Sequence, residues 1–90
     1  MAKNSPRKRK PKPRVGGIIG VGLDNRDGEK RITRTEEMVL VGGSAETHER
    51  MQETAIKFSE GLEKLGKKLP EVSVKQALDL LREAHERTGR

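Results

Sequence analysis

Ninety residues make at most one domain, and only 30% of them are hydrophobic, with Phe58 the sole aromatic. Cysteine is absent, which excludes disulfides, thiolate catalysis and zinc–cysteine sites. The 20 Lys and Arg exceed the 14 Asp and Glu to give +6, and no run of residues approaches the roughly 20 apolar positions of a membrane span.

The basic N-terminus is followed by no continuous apolar segment, so a secretory signal is not expected. The expectation is a soluble, intracellular chain: cytoplasmic or nucleoid-associated, or nuclear in a eukaryote. A body this small, without covalent staples, is also expected to gain stability by forming a homo-oligomer.

Residues 1–14 carry Lys3, Arg7, Lys8, Arg9, Lys10, Lys12 and Arg14 with no acid, while the remainder holds 13 cations against 14 acids. The arm is therefore +7 and the body −1, which together give +6. Three prolines (Pro6, Pro11, Pro13) and no apolar residue beyond Ala2 predict an arm that stays disordered until bound. Closely spaced cations of this kind neutralise phosphates and release counterions, giving salt-sensitive, sequence-independent binding. These seven residues are the candidate nucleic-acid contacts, on DNA or RNA.

Ser5-Pro6-Arg7-Lys8 resembles the Ser-Pro-basic-basic units of linker-histone tails, which implies minor-groove contact. Lys12-Pro13-Arg14 is similar to part of an AT-hook but lacks the Gly between its basic residues, and basic extensions of ribosomal proteins have the same composition. Arg7 to Lys10 also fits a nuclear-localisation signal, or a contact with an acidic protein or an anionic membrane.

Val15 to Asp24 reads as a strand over about 15–23. Its period-two alternation puts Val15, Ile19, Val21 and Leu23 on a packing face, opposite a nearly bare face of Gly16, Ile18, Gly20 and Gly22 that lets another layer approach closely. Asp27-Gly28 is a turn signal, and a β-branched stretch follows over about 31–41, with a bulge or break at Glu36-Glu37. Pairing the two stretches predicts an antiparallel β-hairpin.

Ser44 is a fitting N-cap for a helix over about 44–66. His48, Met51, Ala55, Phe58, Leu62 and Leu65 recur on one stripe, which carries the helix through Gly61 despite a cost of about 1 kcal/mol relative to Ala. Gly66, Lys67, Lys68 and Pro70 form the stop. A second helix, about 73–88, opens at Ser73 with Gln76 completing a capping box, and Val74, Ala77, Leu78, Leu81, Ala84 and His85 line one face. The fold class expected is α+β: a two-stranded antiparallel hairpin, then an antiparallel helix pair, with Phe58, Leu62, Leu65, Leu78 and Leu81 in the core and residues 15–90 as the body.

Nothing in the body advertises catalysis, and no cofactor or small-molecule substrate is implied. The glycine-rich GGIIGVGLD stretch is no phosphate loop, since no Gly-Lys-Ser/Thr follows it. Placing Gly28 at the glycine of a calcium loop puts Leu23 and Arg34 at ligand positions, so that motif fails. Glu46-Thr47-His48-Glu49-Arg50 and Glu83-Ala84-His85-Glu86-Arg87 repeat a pattern that could bring His48 near His85, but two histidines do not make a metal site, and no metal is expected. Gly42-Gly43-Ser44 offers helix-start amides to an anion, though such amides are usually capped within the chain.

The function expected is that of a small accessory nucleic-acid-binding protein, not an enzyme and not a membrane protein. Its arm would hold phosphates while its body oligomerises or docks a partner. The alternative is a protein-interaction or assembly module whose arm is a targeting or docking tag.

Overall fold

The strands β1 (Ile18–Gly22), β2 (Ile32–Arg34) and β3 (Met38–Gly42) are followed by the helices α1 (Ala45–Leu65) and α2 (Val74–Glu86). The computed structural model describes residues 14–25 and 28–88. The strands form one mixed sheet in the order β1-β3-β2. β1 pairs parallel with β3, Ile18 opposite Met38 and Gly22 opposite Gly42, while β2 pairs antiparallel with β3, Ile32 opposite Val41 and Arg34 opposite Val39.

The expected two-stranded hairpin of 15–23 with 31–41 is therefore incorrect. The second stretch is two strands, and they form a hairpin with each other. The cause is Thr35. Its hydroxyl accepts from the Glu37 and Met38 amides at 3.3 and 2.9 Å, and its own N–H donates to the Met38 carbonyl at 2.8 Å. This side-chain-supported turn reverses the chain across Glu36-Glu37. Met-Val-Leu-Val, apolar on both faces, takes the centre of the sheet, and the short Ile-Thr-Arg strand takes one edge. The connection after β1, expected to be a hairpin turn between paired strands, instead joins the two edge strands on either side of β3. Gly28 there has φ 71°, a left-handed conformation that suits glycine.

The bare face of β1 admits a close neighbour, and the expected packing face sets Val15 against the core but leaves Ile19, Val21 and Leu23 exposed. Ile18, Gly20 and Gly22 lie on the helix side, and Ile19, Val21 and Leu23 face outward. The neighbouring strand and the junction after it need the bare side of the strand: a Cβ on Gly20 would stand 3.1 Å from Leu40 Cδ2, and one on Gly22 would lie 2.6 Å from the Gly43 Cα. Backbone meets backbone at that point, so glycine is required.

α1 starts at Ser44, whose Oγ accepts from the Thr47 amide at 3.2 Å. It ends at Gly66 in the left-handed conformation, φ 67°, with the Gly66 N–H on the Glu63 carbonyl and the Lys67 N–H on the Leu62 carbonyl. A 3-10 turn, Leu69–Glu71, links it to α2, which begins at Ser73 with its Oγ accepting from the Gln76 amide at 3.1 Å. The core gathers Met38 and Leu40 from β3, Ala55, Phe58 and Leu62 from α1, Leu69 and Val72 from the linker, and Ala77 and Ala84 from α2.

Two residues expected in that core lie outside it: Leu65 and Leu78 are 44% and 55% exposed. α2 packs through Ala77, Leu80, Leu81 and Ala84, rotated away from the stripe expected through Leu78 and His85. Small residues let the two helices close up, and Gly61 provides the seat for Leu80, whose Cδ2 would be 3.1 Å from any Cβ there.

Candidate functional site

Of the seven candidate nucleic-acid contacts, Lys3, Arg7, Lys8, Arg9, Lys10 and Lys12 lie outside the described residues. Arg14 marks where the chain joins the body. It forms an isolated antiparallel bridge with Ser73, and its guanidinium donates to the Pro70 carbonyl at 3.1 Å. Lys67 and Lys68 stand just ahead of Pro70 in the same linker, but the hollow they line also holds Glu36, Glu37 and Glu63. The surface there is mixed in sign. Lys68 itself pairs with Glu36 at 3.8 Å, so the body adds little positive field to that of the arm.

The Gly42-Gly43-Ser44 junction has its amides capped by the chain itself. Gly42 and Gly43 have φ 79° and 87°, which turns the amides that follow toward the end of β1. The Gly43 amide donates to Asn25 Oδ1 at 2.8 Å and the Ser44 amide to Asp24 Oδ1 at 3.2 Å. Asp24 Oδ2 also accepts from the Ser44 and Thr47 hydroxyls at 3.0 and 2.7 Å. The Thr47 hydroxyl first, then the Ser44 amide and hydroxyl, hold the Asp24 carboxyl at about 2, below its ordinary 3.8, against a smaller opposing effect of desolvation. This carboxylate stands where a bound anion would.

His48 lies beside that junction, buried, with both ring nitrogens engaged. Nδ1 is 2.8 Å from the Gly42 carbonyl, which can only accept, so Nδ1 carries the proton. Nε2, 2.7 Å from the Thr33 hydroxyl, accepts from it, and Thr33 Oγ1 accepts in turn from Gln52 Nε2 at 2.9 Å. A ring so employed has no lone pair left for an ion. His85 is exposed near the end of α2, and among the described residues no group of three His, Asp or Glu is placed to hold a metal.

Two apolar surfaces remain among the described residues; the sequence reading named Ile19, Val21 and Leu23 of the second as a packing face but did not identify the first. A groove of about 800 Å³ opens between β1, α1 and α2, floored by Ile18, Met38, Leu40, Met51, Leu78 and Leu81. Arg50, Arg82 and His85 stand along it, and no carboxylate among the described residues lines it. Both arginines have acid neighbours on their own helices, Arg50 with Glu46 at 3.5 Å and Arg82 with Asp79 at 3.9 Å. The second surface is the outer face of the sheet. Ile19, Val21 and Leu23 are 72%, 61% and 87% exposed, and Ile32 and Val41 continue the face at 60% and 37%. The signal for it lay in β1 and β3, which are apolar on both sides, the pattern of strands covered on two faces.

No helix among the described residues is long and apolar enough to cross a membrane. No family model, curated protein or solved structure matches the chain.

Proposed function

We propose that this chain is an accessory nucleic-acid-binding protein of the cell interior, without catalytic activity of its own. The arm residues Lys3, Arg7, Lys8, Arg9, Lys10, Lys12 and Arg14 grip phosphates, and the body self-associates or docks a protein partner. One observation carries the reading: the charge is divided into an arm of +7 and a body of −1. An arm of that density gains its affinity from counterion release, and a near-neutral body neither adds to nor opposes it. The Arg14 contact with Pro70 supports the same reading, since it fixes where the cationic segment joins the body. The mixed charge and lack of aromatic platforms on the body leave phosphate contact to the arm.

A second reading, a protein-assembly module whose arm is a docking tag, is favoured by the bare outer face of the sheet. The two separate in a salt titration with duplex DNA and structured RNA. It compares the full chain with a variant carrying Arg7→Ala, Lys8→Ala, Arg9→Ala and Lys10→Ala. Phosphate binding predicts that log K falls against log salt with a slope of up to about six on duplex DNA, reduced by three to four in the variant. No binding near 0.15 M salt, or equal slopes for the two chains, sinks the nucleic-acid reading in favour of the docking tag.

A further inference from the structure

We infer that the outer face of the sheet is the interface of a homodimer, in which two copies pack sheet against sheet with their helices on the outside. The inference deepens the body's half of the reading above and rests on that half alone.

Helices cover one side of this sheet, and the other side has the composition of a covered one. A half-solvated sheet alternates apolar with polar residues, whereas here the outward positions Ile19, Val21, Ile32, Val39 and Val41 are all aliphatic and Arg34 stands at one corner. Their rows run across the strands. Val21 lies opposite Val41, which lies opposite Ile32, and Ile19 lies opposite Val39, which lies opposite Arg34. A second layer is missing.

Ile19, Val21, Ile32 and Val41 stand exposed there, so none of the described residues supplies that layer. Two features select an identical copy as the cover. First, the body is near neutral at −1 and the face nearly free of charge, so nothing repels a like surface or selects an unlike one. Second, the size fits. The exposed parts of Ile19, Val21, Leu23, Ile32 and Val41 come to roughly 600 Å² per copy, near the top of what a monomer leaves bare. A pair would bury about 1,200 Å², the lower end of stable interfaces. Two such faces stack about 10 Å apart with their strands within about 30° of each other, as in any two-layer sandwich.

Sedimentation velocity tests this on the full chain and on Ile32→Lys and Val21→Lys, with circular dichroism confirming the fold of each. A double variant, Val21→Thr with Val41→Thr, keeps β propensity should a lysine prevent folding. The wild-type chain is expected to sediment at twice its mass. Each lysine variant should be monomeric or weakened by at least about 100-fold, because the symmetry places two charges in the interface. A monomeric wild type overturns the proposal and leaves this face to a different protein. If that monomer still binds nucleic acid, the arm's role stands while the dimer falls. A dimer lost in Val21→Lys but intact in Ile32→Lys also overturns it, since contact would then run along the open edge of β1.

Discussion

Asp24 shows how one side chain can occupy a site that resembles a ligand's. Its carboxylate accepts from one amide and two hydroxyls at the start of α1, and those bonds favour the charged form. A folded-state value of about 2 against an ordinary 3.8 means the folded protein holds the proton less tightly than the unfolded chain. The contribution is thus fully present above about pH 4 and is lost as the pH falls through about 2. Asp24→Asn should lower the urea midpoint at pH 7, and the gap to wild type should narrow progressively as the pH falls from about 4 through about 2. Equal midpoints at pH 7, or a gap unchanged in acid, would contradict this. The sequence placed Asp24 at a strand end and Ser44 at a helix cap, both correctly. It could not join them, because the bond spans twenty residues and exists only when β3 lies beside β1. His48, placed on the packing stripe of α1 by its spacing, links the Gly42 carbonyl to the Thr33–Gln52 pair.

Among the elements, the helix ends were legible because caps are local. Ser44, Gly66 and Ser73 act within a single turn of chain. The sheet was not legible, because strand order is set by contacts distant in sequence. Alternation in β1 identified its two faces and the close approach on the bare one, but not that Ile19, Val21 and Leu23 on the other stand exposed. In this sheet the glycine face is the inner one, and its tightest point is Gly22 against Gly43. Gly22→Ala places a Cβ 2.6 Å from a backbone carbon and 2.8 Å from a backbone nitrogen, neither of which can turn aside as a side chain would. The β1–β3 register must slip or the junction must open, and the expected loss is about 2–3 kcal/mol. Gly16→Ala meets nothing within 4 Å and serves as the control, neutral or stabilised by up to about 1 kcal/mol. Urea denaturation of the two variants checks the contrast; equal stability would place the parallel register in error.

The whole molecule divides its work between charge and packing, and its packing is thin. Nine apolar residues among those described form the buried cluster, with Phe58 and Val72 the largest of its fully buried side chains. A domain this short buries too little surface to tolerate a large loss, and Phe58 occupies the middle of α1, in the cluster that gathers β3, the linker and α2. The sequence named Phe58 and Leu62 as core from their stripe. It misplaced Leu65 and Leu78 because periodicity gives the phase of a helix only to within a residue, and the close approach at Gly61 turned α2 onto its alanines. Phe58→Ala removes most of a ring's worth of contact at a cost of about 3–5 kcal/mol, comparable to the roughly 5 kcal/mol that holds a marginal small domain together. The variant should therefore lose its cooperative thermal transition at 25 °C by circular dichroism. Phe58→Leu, which keeps most of the volume, should fold with a lowered midpoint. If Phe58→Ala instead unfolds cooperatively with a midpoint near wild type, the body draws its stability from elsewhere. Apolar surface covered outside this cluster, where the sheet is bare, would then have to supply it.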